Sequence, residues 1–300
     1  MHNKKPFRAR AVAFRVVQLT RRLLIINSYF GIMNYSIRFN SLNELCKYLD
    51  NTPQKKVWQK SIGGYSSTDD DKKFRGTESM EEARALLSGG WVDGLKMLAP
   101  LLRVPAHYSQ TKKTRVILGR VGGCVCVPAY CAGSDKCFYS IKRNSVGRVV
   151  DIVYNCAVDC GVKAKEISIQ AAKIYNVIRS LESAGTRCNL WVVEFSKDNG
   201  KYSYIATKIK DSGEAFSALK YAFPIFHPSF ARRLMFGVQE RLLPVRFYGY
   251  GSPVSSKSDE KEFAEGLKLL HINTAPGKVL DYYQLCKLSE NQVLEKLLAD

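Results

Sequence analysis

Residues 148–195 read RVVDIVYNCAVDCGVKAKEISIQAAKIYNVIRSLESAGTRCNLWVVEF, and this stretch decides the fold. Its first eight residues form a β-branched and aromatic run of the kind buried on both faces of a parallel sheet. Over 163–185, Ile167, Ala171, Ile174, Ile178 and Leu181 recur at helical spacing and Gly185 ends the pattern. RCNLWVVEF at 187–195 is a second strand. Strand, helix and strand in this order make a βαβ unit with parallel strands and a right-handed crossover. The expected class is therefore α/β, a mostly parallel sheet flanked by helices. Ligands in such sheets gather at the carboxyl ends of the strands, which here is NCAVDC at 155–160.

Downstream, YSYIATKI at 202–209 reads as a strand, 214–223 as a helix, and Pro228 opens the helix PSFARRLMFGVQERLL. A Ser- and Lys-rich loop at 251–258 leads to helix DEKEFAEGLKLL, HINT at 271–274 reads as an edge strand, and two helices close the chain. Upstream, Ser41 with Glu44 and Ser79 with Glu82 are capping boxes. They predict short helices over 42–50 and from Met80 to the Gly89–Gly90 pair, with WVDGLKMLAPLL at 91–102 packed on the latter and a loop at 63–79. A helical N-terminal region over 33–103 results.

The 300 residues carry 46 Lys and Arg against 27 Asp and Glu, a formal charge of +19. Seven of those positive charges lie in residues 1–32, which hold no acid. That segment reads as a basic tail or a transit-like leader, with Met33 as the start of the folded chain. Residues 101–150 hold nine basic residues against the single acid Asp135, around strand-like TRVILGRV and KCFYSI. This is a basic connector over 104–147, preceding an α/β domain over 148–300. Nine cysteines without a secretory signal imply reduced thiols in a cytoplasm. The apolar run LLIINSYFGIM at 23–33 is too short to span a membrane.

Three stretches carry a resemblance. FRGTESMEEARALLSGGW, VCVPAYCAGSDKCFY and FHPSFARRLMFGVQE resemble the signatures of an uncharacterised family encoded largely by bacteriophages, with Ser134 and Cys137 standing where Pro and Met are expected. The α/β part is similar to a von Willebrand factor A-like (Rossmann-like) domain, its most recognisable piece being AAKIYNVIRSLESAG followed by RCNLWVVEF. The resemblance supplies no biochemical activity.

A metal-binding domain of that kind places Asp-x-Ser-x-Ser after its first strand, because a hard divalent cation needs carboxylate and hydroxyl oxygens there. Here those positions are Asn155, Cys156, Ala157, Val158 and Asp159, so no metal site is expected. Asn155 and Asp159 stay as a strand-end contact site, against the alternative of a turn closed by local Asn and Asp bonds. Cys124, Cys126, Cys131 and Cys137 match none of the common zinc spacings and read as small buried apolar residues. None of the four histidines forms a nucleophile signature with a Cys and an acid, and P-loop, dinucleotide and serine-elbow motifs are missing. Neither a catalytic residue nor a cofactor is expected.

His227, Arg232 and Arg233 at a helix start form a candidate anion site, against the alternative that the helix docks through Phe230, Leu234 and Phe236 while its arginines pair with acids of the domain. Lys112, Lys113, Arg115, Arg120, Lys142 and Arg143, interleaved with tyrosines, are candidate nucleic-acid contacts, against a solvated charged face. The functional expectation is a non-enzymatic phage-encoded binding or scaffolding protein whose α/β domain engages an unidentified protein partner. The alternatives are a nucleic-acid-associated protein and an enzyme of unrecognised type.

Overall fold

The computed structural model describes residues 15–19, 22–29, 32–59, 67, 72–102, 114–143, 149–247, 250–254, 256–272, 274 and 278–299, with the backbone alone given for 15–33, 59, 114–117 and 140–143. The strands are β1 (Arg15–Leu19), β2 (Arg22–Tyr29), β3 (Ile32–Phe39), β4 (Thr114–Gly119), β5 (Cys124–Val125), β6 (Phe138–Arg143), β7 (Val149–Asn155), β8 (Arg187–Asp198), β9 (Lys201–Lys210) and β10 (Val279–Asp281). The helices are α1 (Leu42–Asn51), α2 (Lys56–Gln59), α3 (Lys72–Arg75), α4 (Met80–Gly89), α5 (Val92–Leu98), α6 (Val127–Cys131), α7 (Ala164–Ser183), α8 (Ala218–Phe226), α9 (Phe236–Leu242), α10 (Lys257–Leu269), α11 (Tyr282–Lys287) and α12 (Glu290–Leu298).

The main sheet has the order β1-β2-β3-β9-β8-β7-β10. Within β3-β9-β8-β7-β10 only β8 and β9 are antiparallel, a hairpin turning at Asn199 and Gly200, both with positive φ. The α/β class with a mostly parallel sheet is therefore observed, and β7, α7 and β8 form the βαβ unit read at 148–195. All five apolar positions assigned to the inner side of α7 are buried.

The helices divide unequally between the faces. Tyr154, Ile152, Leu190 and Val192 point into the larger core with α1, α7, α8 and α9, while Val153, Trp191, Val193 and Phe195 face α10 through Phe263 and Leu267. Gly266 is required on α10, because a Cβ there would lie 2.1 Å from the Tyr204 ring. Among the described residues no helix is long and apolar enough to cross a membrane.

The expected segmentation is corrected in three places. Within the expected tail 1–32, β1 and β2 pair antiparallel and extend the sheet through β2–β3, since Arg15–Leu19 and Arg22–Tyr29 carry β-forming runs between their arginines. The region 33–103 is not wholly helical, because β3 lies in the sheet parallel to β9, with Tyr35, Ile37 and Phe39 buried in the larger core. The unit 148–300 therefore does not hold the whole sheet. The edge beside β7 is Val279–Asp281, not HINT, in which residue 273 lies outside the described residues.

The 63–79 loop contains α3 and a buried Ser67, and 60–66 and 68–71 lie outside the described residues. Both predicted capping boxes cap their helices through Ser41 and Ser79, which accept from the Glu44 and Glu82 amides. The connector holds its own small sheet, ordered β4-β6-β5, with α6 between β5 and β6.

Candidate functional site

Asn155, the last residue of β7, is fully buried. Its amide donates to the Ser252 carbonyl at 3.1 Å, and its carbonyl oxygen accepts from the Ala157 amide at 3.3 Å. Both ends of the side chain thus close the turn beneath the loop at 250–252. Asp159 is exposed and accepts a hydrogen bond from the Tyr283 hydroxyl of α11. The two residues assigned to a strand-end contact site therefore part company: Asn155 is an internal brace and Asp159 alone reaches the surface. Among the described residues no three His, Cys, Asp or Glu side chains gather to hold a metal ion.

Arg232 lies behind this loop in the π-helical turn Phe230–Met235 that leads into α9. Its guanidinium lies over the Phe74 ring, 4.1 Å from the centroid, and donates to the carbonyls of Phe74 at 2.7 Å, Asp159 at 3.3 Å and Val162 at 3.2 Å. Arg233 is fully buried and donates to the Thr77 hydroxyl and carbonyl, each at 2.7 Å, and to the Ser67 carbonyl at 3.0 Å. A planar fork of donors suits several fixed carbonyls at once.

His227 packs edge-on against Trp91 at 4.6 Å and stacks on Phe223 at 5.1 Å, while its Nδ1 accepts from the Ser229 amide at 3.1 Å. Burial lowers its pKa to about 4, so at neutral pH it carries no charge. The donors of the expected anion site thus hold the protein's own carbonyls, so both arginines serve the interior, though through backbone oxygens rather than the acids expected of them. They tie α3, the loop after β7 and the start of α9 together. A cleft lined by Tyr154, Cys156, Ile167, His227 and Arg232 has room for about one water molecule.

A pair of buried carboxylates was not singled out in the sequence. Glu240 of α9 accepts from the Ser67 amide and hydroxyl, each at 2.6 Å, from the Tyr250 hydroxyl at 2.7 Å and from the Gln54 amide at 3.0 Å. Glu194 of β8 is 1% exposed, and neither of its oxygens meets a donor among the described residues. Burial, and then repulsion from Glu240, raise the Glu194 pKa well above the ordinary carboxylate range, which favours its protonated form. The signal was present in LWVVEF, where an acid occupies a strand position that otherwise alternates into the core.

Of the candidate nucleic-acid contacts, Lys112 and Lys113 lie outside the described residues. Arg115, Lys142 and Arg143 belong to β4 and β6, whose register sets Arg115 opposite Lys142 and Thr114 opposite Arg143. Arg120, at the end of β4, is exposed and pairs with Asp135 at 2.8 Å. Several apolar side chains of this arm are exposed: Val121 is 81% exposed, Tyr130 66% and Val127 64%, with Leu118, Val125 and Tyr139 also exposed. The expectation of buried cysteines holds for Cys126 and Cys137, while Cys124 and Cys131 are exposed.

No curated protein and no solved structure matches this chain. A family model does match it, over residues 18–290, a span that includes β2, the arm, both buried arginines and the carboxylate pair. The chain belongs to that family, DUF7192, a domain of unknown function.

Proposed function

We propose that this is a non-enzymatic binding or scaffolding protein that holds a protein partner on the arm formed by β4, β5, α6 and β6. The observation that carries this reading is the exposure of Val121, Val127 and Tyr130 on an arm whose strands, among the described residues, pair with one another. Exposed apolar side chains grouped on one element mark interaction sites. The filled strand ends agree with it, since Asn155 and the Arg232 fork close the region where an α/β sheet usually admits a ligand. The same reading takes the chain as phage-encoded and active in the cytoplasm of a bacterial host, on the strength of the three stretches that resemble the phage family. It takes the α/β part as von Willebrand A-like without the metal motif. The β7–α7–β8 unit, with β10 on the other side of β7, supports that likeness.

The test is co-purification from infected cells with the full chain and with the double substitution Val127→Ser, Tyr130→Ser. A partner retained by the wild type and lost by the variant, at unchanged melting temperature, is the expected result. A partner retained equally by both moves the interface off the arm.

The register of the arm favours a second reading. The register sets Arg115 opposite Lys142 on neighbouring strands, with Arg143 next in sequence, and such a concentration of charge attracts a phosphate backbone. A labelled single-stranded oligonucleotide separates the two readings. Binding that weakens steeply from low to moderate salt, and is abolished by Arg115→Glu with Lys142→Glu, selects nucleic acid. Salt-insensitive or undetectable binding leaves the protein partner.

A further inference from the structure

The arm carries an arrangement of thiols that neither reading uses. The β5–β6 register pairs Cys124 with Tyr139 and Val125 with Phe138, and one step further the Cys126 amide donates to the Cys137 carbonyl at 2.6 Å. Cys126 and Cys137 are therefore direct cross-strand neighbours, and both carry free thiols shielded to 8% and 7% exposure. Direct antiparallel neighbours stand about 5.5 Å apart at Cα and about 4.5–5.5 Å at Cβ. A disulfide accepts that Cα separation and needs a Cβ separation of about 3.5–4.5 Å. The gap to close is on the order of 1 Å, and β5 is only two residues long before the chain turns into α6. Cys124 lies diagonal to Cys137, at about 7–8 Å by the same geometry, and is out of reach.

We infer that Cys126 and Cys137 are a redox-active dithiol that closes to a disulfide when the protein meets a hydroperoxide. The Cys126 thiolate attacks the peroxide oxygen, the O–O bond breaks, and with one proton taken up the products are a sulfenic acid on Cys126 and water or an alcohol. The Cys137 thiol then attacks the Cys126 sulfur. The S–S bond forms, the S–OH bond breaks, and the Cys137 proton leaves with the hydroxyl as water. Two thiols are oxidised and one hydroperoxide is reduced. The Tyr139 hydroxyl supports the first step, since its hydrogen bond to Cys126 and the Ala129 amide hold that thiol below the ordinary range. Closing the bond would fasten α6, and Tyr130 with it, to the end of β6.

Hydrogen peroxide added to the fully reduced full-length chain tests this by peptide mapping under non-reducing conditions. Trypsin cuts after Arg120, Lys136 and Lys142, so Cys137 falls on a different peptide from Cys124, Cys126 and Cys131. The expected product is peptide 121–136 joined to peptide 137–142, with fragmentation placing the link at Cys126. Cys126→Ala should lose that species entirely, while Cys124→Ser and Cys131→Ser keep it. Fragmentation of the wild-type product decides the point even where a variant fails to fold. A link from Cys137 to Cys124 or Cys131, or oxygen added to the two thiols separately with no link, overturns the inference.

Discussion

At the scale of single residues, two titratable groups, Glu194 buried and His227 half-buried, set opposite pH limits on the fold. His227 is neutral in the folded chain, with its pKa lowered from 6.5 to about 4, and takes up its proton far more readily once unfolded. Stability from this residue is complete above about pH 6.5 and is lost as the pH falls through about 4, a difference on the order of 3 kcal/mol. His227→Phe keeps a ring between Trp91 and Phe223, so its melting temperature should fall less than that of the wild type between pH 7 and pH 4. Glu194 works in the other direction. The folded chain holds its proton where the unfolded chain releases it, so stability declines as the pH rises from the ordinary carboxylate range toward the raised folded value. Glu194→Gln removes that decline. Thermal melts should show equal stability at about pH 4 and a gain for the variant that widens from pH 5 to pH 8, and a variant less stable at pH 8 would mean that Glu194 is ionised in the fold.

Among the elements, the segment from Phe230 through α9 does most to hold distant pieces of chain together. Arg232→Ala would orphan the carbonyls of Phe74, Asp159 and Val162 and uncover the Phe74 ring, which should cost about 3 kcal/mol by denaturant titration. Arg232→Lys should recover less than half of that, because a single ammonium cannot match a fork aimed at three carbonyls. The sequence showed Pro228, the apolar positions and the two arginines. It could not show where the arginines would donate, because Phe74, Thr77 and Ser67 lie more than 150 residues away along the chain. Helix ends were more legible. Ser41 and Ser79 cap as read, since their partners are three residues on. The burial of Asn155 was hidden for the same reason as the arginine contacts: its partner Ser252 comes from a distant loop.

For the whole molecule, the βαβ unit is legible because its periodicities are local and long, whereas β3 is not, although Tyr35, Ile37 and Phe39 alternate with polar residues. A seven-residue alternation beside a strong helix signal gives no hint of its partner, and that partner is β9. β1 and β2 were obscured by their arginines. Their pairing makes a specific prediction about the chain begun at Met33. Without β2, the outer edge of β3 offers unpaired amides and carbonyls to other chains. That shortened protein should be less soluble than the full chain and should form concentration-dependent oligomers on size-exclusion chromatography. A monomer as soluble as the full chain would show that β1 and β2 are dispensable.

The parallel pairing of β3 with β9 also has a bearing on synthesis. β3 leaves the ribosome some 160 residues before the strand it lies against. At about 5–20 residues per second, that is a wait of roughly 8–32 s. Through that interval β3 has only β1 and β2 to pair with, and a ribosome-bound chaperone would find Tyr35, Ile37 and Phe39 uncovered until the β8–β9 hairpin emerges.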